Sequence, residues 1–186
     1  MASSVPASAD PGGSAVSDPG QPPTDAAVDR VNGLSRTDLI SELLQVCHSQ
    51  RWAERVADAH PYADTTELLA VADRIWMALD PADWLEALRG HPRIGESGGS
   101  SQQFSTSEQA GMNDADAVVR DAIASGNRDY EDRFGHVFLI SAQGRTPQDI
   151  LANLDARLLN TASEEIHQAA GEHRRITQLR LQKLLT

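Results

Sequence analysis

A histidine stands between a glycine and a proline in the segment GHPRIGES, in a chain that otherwise has helical patterning. Gly90 follows the end of a predicted helix, and Pro92 disfavours helical backbone at His91. Imidazole is the side chain whose ordinary pKa lies closest to neutral pH, so His91 is suited to proton transfer. The same residues also fit a plain turn with an exposed histidine, and the local sequence does not decide between the two.

A carboxylate with two possible roles lies shortly afterwards, in the segment STSEQAG. Ser105 and Glu108 have the spacing of a capping box, in which the two side chains satisfy backbone amides at a helix start. If Glu108 instead faces a cleft, its carboxylate can orient an imidazole. The two roles compete for the same oxygen atoms, and both stay open.

An arginine occurs among leucines in the segment LDARLLN. A guanidinium at such a position either reaches the surface along its aliphatic stem or is buried with a partner. Arginine is also suited to bidentate binding of a carboxylate or a cyclic urea edge. Arg157 is therefore a candidate anchor for such a group, with a surface position as the alternative.

Other common chemistries have little support in the sequence. The six histidines form neither an HExxH motif nor a Cys/His cluster, and His167 and His173 are spaced so that they do not share a helix face. Gly98 and Gly99 lie in a polar stretch rather than a phosphate loop, and no GxSxG motif occurs. We therefore expect no metal site and no nucleophilic serine.

Composition narrows the possible partners and the cellular location. The chain has 186 residues, with 16 basic and 27 acidic side chains and a formal charge of −11, which argues against nucleic-acid binding. It has no apolar run long enough to cross a membrane, and its N-terminus lacks the pattern of a signal peptide. A single cysteine, Cys47, fits a reducing compartment. We expect a cytoplasmic protein that binds neither membranes nor nucleic acids.

The chain divides into a tail and one helical domain. Residues 1–27 hold five of the nine prolines and few large apolar side chains, so we expect a disordered N-terminal tail. Residues 28–186 show helical periodicity, including a helix predicted from Ser105 to about Ser125. Only the segment FGHVFLI, residues 134–140, has the composition of an extended stretch. The predicted helix-starting caps are Ser35, Asp64, Asp80, Thr146 and Thr161. The fold class predicted is all-α, a single domain of seven or eight helices with one short buried extended segment.

Several segments together resemble a known family. HPRIGE, STSEQAG, RFGHVFLISAQG, RLLN and RITQLRLQKLL occur in this order, and CHSQRWAERV precedes them. In that order and spacing they resemble the 2-oxo-4-hydroxy-4-carboxy-5-ureidoimidazoline (OHCU) decarboxylases of uric acid breakdown. The resemblance covers roughly residues 32–186.

The resemblance implies an all-α homodimer that converts OHCU into (S)-allantoin and carbon dioxide without a cofactor. It implies that His91 and Glu108 form the catalytic pair. His136 departs from the family pattern, which often has an apolar residue there, and its role stays open. The residues that the resemblance places around the substrate are Pro92, Ser105, Gln109, Leu139, Ile140, Ser141, Ala142 and Arg157.

The implied reaction suits a protein without a cofactor. The carbon that loses carbon dioxide lies beside a ring carbon–nitrogen double bond, which can accept the electron pair. The protein then has to hold the ring, with Arg157 and Gln109 as anchors, and move protons, with His91 as acid–base and Glu108 stabilising its cationic form.

Two alternatives remain. One is a helical interaction module that associates with other enzymes of the urate pathway and lacks catalysis. The other is a related enzyme that acts on a different ureido compound. A binding-only protein has no need for His91 or Glu108, and this chain has both.

Overall fold

The predicted all-α class is confirmed by the computed structural model, which describes residues 25–94 and 117–185. Within these ranges no helix is both long and apolar enough to cross a membrane. The described residues form eight helices: α1 (Ala26–Asn32), α2 (Arg36–Val46), α3 (Gln50–Asp58), α4 (Thr65–Met77), α5 (Pro81–Arg89), α6 (Ala117–Phe134), α7 (Pro147–Arg157) and α8 (Ala162–Leu184).

Short polar side chains begin most of these helices, as the sequence predicts. Asp80 accepts no backbone hydrogen bond at the start of α5, where Pro81 supplies a fixed φ instead. The other four predicted caps do accept a bond from the first helical turn, and they are Ser35, Asp64, Thr146 and Thr161. Each such bond satisfies an amide that the helix itself leaves unpaired.

The first helix begins before the predicted domain boundary. Asp25 caps α1 by accepting hydrogen bonds from the backbone nitrogens of Ala27 and Val28, and its other oxygen accepts one from Thr65 at 2.9 Å. Ala26 and Ala27 are therefore helical, so the boundary predicted after residue 27 falls inside α1. The contact of Asp25 with Thr65 joins α1 to α4, and such a long-range contact leaves no local pattern in the sequence. The rest of the predicted tail lies outside the described residues.

Helix α6 runs to Phe134, so the helix end predicted near Ser125 is wrong. A glycine inside the helix explains the error. A Cβ on Gly126 would lie 2.6 Å from Cδ2 of Leu154, so the glycine lets α6 approach α7 closely. Tertiary packing, which the local sequence does not show, requires a glycine at a position where propensity alone favours a helix end.

A segment without regular secondary structure crosses the interior between α6 and α7. We call residues 135–146 the crossing segment. It starts at Gly135, whose φ of 74° lies in the left-handed region that favours glycine. Phe138, Leu139 and Ile140 are buried in it. The predicted buried extended stretch is thus present, beginning one residue later because Phe134 ends α6.

Helix α8 connects two parts of the core. A large apolar cluster around Trp52 and Trp76 joins the first five helices to α8. A second cluster around Tyr130 fills the space between α6, α7 and the crossing segment. A small third cluster joins α5, the crossing segment and α8, and its members are Leu88, Leu139, Ala169 and Ile176. The turn after α5 therefore lies where all three elements meet.

We expect Gly126→Ala to lower the free energy of unfolding by about 1–3 kcal/mol, because the added methyl overlaps the fully buried Leu154. Gly171→Ala is the matched control, since a Cβ there meets no atom within 4 Å and removing a helical glycine stabilises by roughly 0.5–1 kcal/mol. Denaturant titration measures both. Equal effects of the two substitutions would contradict the close approach of α6 to α7.

Candidate active site

His91 lies on the turn that follows α5, with its imidazole inside the protein. Its backbone nitrogen donates to the carbonyl oxygen of Leu88 at 3.2 Å, and only 6% of the residue is exposed. The alternative of an exposed histidine on a plain turn is therefore wrong. Gly90 has an ordinary φ of −76°, so its backbone conformation does not require glycine. A Cβ on Gly90 would instead overlap the ring of His48.

Two further histidines surround His91. The ring centroids of His91 and His173 are 4.9 Å apart and those of His91 and His48 are 6.0 Å apart, both in edge-to-face arrangements. His48 lies between α2 and α3, and His173 lies in the middle of α8. We call His48, His91 and His173 the histidine cluster. Within the described ranges, no three His, Cys, Asp or Glu side chains are arranged to hold a metal ion.

The surroundings of the cluster favour neutral rings. Burial lowers the pKa of His91 well below its ordinary value, and the proximity of His173, Arg180 and His48 lowers it further, because a positive charge on His91 would be repelled by Arg180 and by any proton gained by the other two rings. Burial, followed by the charge of Arg180, lowers the pKa of His173 to about 3. The fold therefore moves the pKa of His91 downward from the ordinary imidazole value on which the sequence argument relied. In the folded protein His91 is a neutral imidazole, which can accept a proton.

Arg180 is a buried cation beside the histidine cluster that is not among the predicted site residues. The residue is 1% exposed, and its Nη1 donates to the carbonyl oxygen of Val46 at 3.1 Å. Its charge lowers the pKa of all three rings of the histidine cluster. The sequence does hold a signal for it: Arg157 occurs near leucines in the segment LDARLLN, and Arg180 lies directly between two leucines in the segment LRL.

Arg157 is buried rather than at the surface, so the surface alternative is wrong. Its Nε donates to Oε1 of Glu165 at 2.8 Å, and its Nη1 donates to the carbonyl oxygen of Leu139 at 2.8 Å. Its Nη2 donates to the hydroxyl of Tyr130 at 3.1 Å. These bonds fix the crossing segment against α6, α7 and α8. The role of Arg157 as a substrate anchor stays a prediction.

The crossing segment brings the other predicted contacts towards the same region. Leu139 packs with Leu88, three residues before His91 along the chain. The backbone nitrogen of Ser141 donates to Oε2 of Glu172 at 3.0 Å, which ties this segment to α8. The buried residues Ile140 and Ala142 belong to the cluster around Tyr130. The structure thus joins the crossing segment to the helix that carries His173 and Arg180.

Three predicted site residues, Ser105, Glu108 and Gln109, lie outside the described residues, and so does the predicted helix start at Ser105. Pro92 is described and follows His91 directly on the turn.

His136 is separate from the histidine cluster in its ring contacts, since it packs edge-on against Tyr130 with a centroid distance of 5.4 Å.

We expect stability to fall as the pH drops below about 6.5, because the unfolded chain then protonates histidines that the folded protein keeps neutral. His91 and His173 each contribute up to roughly 1.4 kcal/mol per pH unit. The measurement is the free energy of unfolding between pH 7.5 and pH 5. His173→Phe should have a shallower slope than the unsubstituted protein, and carboxylates cancel in that comparison. Equal slopes would contradict a buried neutral His173.

We expect Glu165→Ala to lower the free energy of unfolding by about 3–5 kcal/mol, because it leaves the guanidinium of Arg157 buried without its carboxylate. Asp58→Ala is the matched control. It removes the partner of Arg36 from a pair in which both side chains are 57% exposed, and exposed pairs contribute about 0–1 kcal/mol. A similar loss in the two variants would show that Arg157 finds another partner or water.

Comparisons with known proteins show which family the chain resembles. The family model described as OHCU decarboxylase matches residues 32–182. The 2-oxo-4-hydroxy-4-carboxy-5-ureidoimidazoline decarboxylase of Haloferax volcanii is 29% identical over 157 residues, which cover 83% of this chain and 91% of that protein. The uric acid degradation bifunctional protein TTL of Arabidopsis thaliana is 31% identical over 146 residues. That match covers 75% of this chain but only 45% of the bifunctional protein, so this chain spans less than half of that relative's length.

A solved structure supports the same relationship. The crystal structure of an OHCU decarboxylase in the presence of (S)-allantoin superimposes on this chain with a TM-score of 0.69 at 32% identity. The superposition covers 77% of this chain and 96% of the other. The motif order, the helical fold and these matches lead to one conclusion: the chain belongs to the OHCU decarboxylase family.

Proposed function

We propose that this protein decarboxylates OHCU to (S)-allantoin and carbon dioxide, with no cofactor. The observation that carries the proposal is the buried imidazole of His91 in a member of this family. Its Nε2 is enclosed and has no hydrogen-bond partner among the described residues. A buried polar atom without a partner costs free energy, and a substrate atom that pairs with it would remove that cost.

The reaction needs a group that can both accept and return a proton. The bond to the carboxylate breaks, and its electron pair forms a carbon–carbon double bond in the ring. The π pair of the adjacent ring C=N bond moves onto the ring nitrogen, which takes up a proton from solvent. The hydroxyl of the resulting enol then loses its proton while the neighbouring carbon gains one. A neutral His91 would accept the hydroxyl proton and deliver it to one face of that carbon, which would set the (S) configuration.

A buried cation would assist the first step. Negative charge moves from the carboxylate into the ring as carbon dioxide leaves, and a fixed positive charge nearby stabilises that transition state. Arg180 is our candidate for this role, because its charge already acts on His91. Arg157, in this proposal, contributes through Leu139 of the crossing segment, whose carbonyl it binds.

The remaining members of the site are proposals that rest on the family motifs. Glu108 would orient His91 and stabilise its cationic form, and Ser105 and Gln109 would bind ring or ureido oxygens. Pro92 and the stretch 139–142 would complete the pocket. We also propose a homodimer in the cytoplasm.

The test is freshly generated OHCU mixed with the protein and followed by circular dichroism. Spontaneous decay gives racemic allantoin, so an enzyme-dependent (S) signal supports the proposal. His91→Ala should keep a melting temperature within a few degrees of the unsubstituted protein and lose the signal, since acid–base assistance contributes about 10²–10⁴-fold. An unsubstituted protein that gives no (S) excess would favour the interaction module, and an active His91→Ala variant would remove His91 from the chemistry.

A further inference from the structure

His173 is a buried titratable side chain that the proposed chemistry does not use. It lies in the middle of α8 with no measurable exposure. An apolar residue would fill such a core position without the cost of burying a polar ring. The reason for a histidine therefore has to lie in what its ring contacts.

The ring of His173 is held from two sides. It stacks on the indole of Trp76 with a centroid distance of 4.4 Å and an angle of 12° between the planes. The indole is itself tied to α8, because its Nε1 donates to the carbonyl oxygen of Ala170 at 3.0 Å. On its own helix, the hydroxyl of Thr177 lies 3.1 Å from Nδ1 of His173. Rotation of the ring would break the stack or this hydrogen bond.

The backbone around His91 does not hold the imidazole ring of this residue in place. It lies on a turn, outside the helices, and the hydrogen bond of its backbone nitrogen fixes the chain but not the ring. The ring is held instead by its neighbours, His173 at 4.9 Å and His48 at 6.0 Å, which contact it in edge-to-face arrangements. Gly90 leaves the space that His48 occupies.

We propose that His173 is a positioning residue: clamped between Trp76 and Thr177, its ring fixes the plane of the His91 imidazole for proton transfer. This inference rests on the proposed function, in which His91 moves the protons. His173 acts through His91 and touches no reacting atom. Proton transfer is sensitive to such placement, since a shift of about 1 Å in a reacting group can cost about 10²-fold in rate.

Two substitutions separate the shape of the ring from its nitrogen atoms. His173→Phe keeps a planar ring against Trp76 and His91, so we expect kcat within about fivefold of the unsubstituted protein. His173→Ala removes the ring, so we expect kcat to fall by about 10–10²-fold with KM within about threefold, on the scale of a misplaced reacting group. The enantiomeric excess of the allantoin should fall in His173→Ala and stay high in His173→Phe. His167→Ala, an exposed histidine on the same helix, is the control and should leave all three quantities unchanged.

Equal losses of kcat in His173→Phe and His173→Ala would overturn the proposal, because the nitrogen atoms would then matter rather than the ring. Full activity in both would also overturn it. If His173→Ala does not fold, His173→Leu replaces it. This variant fills the position without a planar ring, and we expect kcat to fall by about three- to tenfold at unchanged KM, while a kcat equal to that of His173→Phe would overturn the proposal. An unsubstituted protein without (S)-selective turnover refutes the proposed function itself, a result distinct from any difference among these variants.

Discussion

One buried guanidinium organises the half of the protein that contains the crossing segment. Arg157 is almost fully enclosed, and a charge in that position is tolerated only when fixed partners replace the water it has lost. Its partners come from α6, the crossing segment and α8, in the form of Tyr130, the carbonyl of Leu139 and Glu165. A segment without regular secondary structure can therefore lie in the interior with its conformation fixed. The geometry of the candidate site depends on this, because Leu139 of the same segment packs with Leu88 of α5, three residues before His91.

Helix α8 connects the surroundings of Arg157 to the histidine cluster. Glu165 lies in its first turn, His173 lies about 12 Å further along the helix axis, and Arg180 about 10 Å beyond that. One straight element thus carries the carboxylate that neutralises Arg157, the ring that contacts His91 and the cation that acts on it. The relative positions of these three groups are fixed by helical geometry rather than by loops. Two of the groups that act on His91, His173 and Arg180, are accordingly carried by one helix, whereas His91 itself lies on a turn.

Local chemistry explains what the sequence predicts correctly. Helix starts at Ser35, Thr146 and Thr161 depend on residues within one turn, so capping patterns reveal them. The burial of 138–140 follows from its apolar composition. The capping contact of Asp25 with Thr65, and the contact of Gly126 with Leu154, join residues far apart in the chain and carry no local pattern. The local sequence does not reveal the histidine cluster either, because its three members come from segments far apart in the chain. For His91 the sequence indicates the type of chemistry, but the direction of its pKa shift depends on neighbours that only the fold brings together.

The contact between Gly90 and the ring of His48 has an evolutionary consequence. A side chain at position 90 and an imidazole at position 48 would occupy the same space, so the residue at one position limits which residues the other can accept. A lineage that acquires a larger residue at position 90 has to lose the ring at position 48, or else displace the turn that carries His91. The order of such changes matters as well: where the turn keeps its place, losing the ring first avoids an intermediate with two overlapping side chains beside His91. This part of the protein therefore evolves as a linked pair rather than as two separate positions.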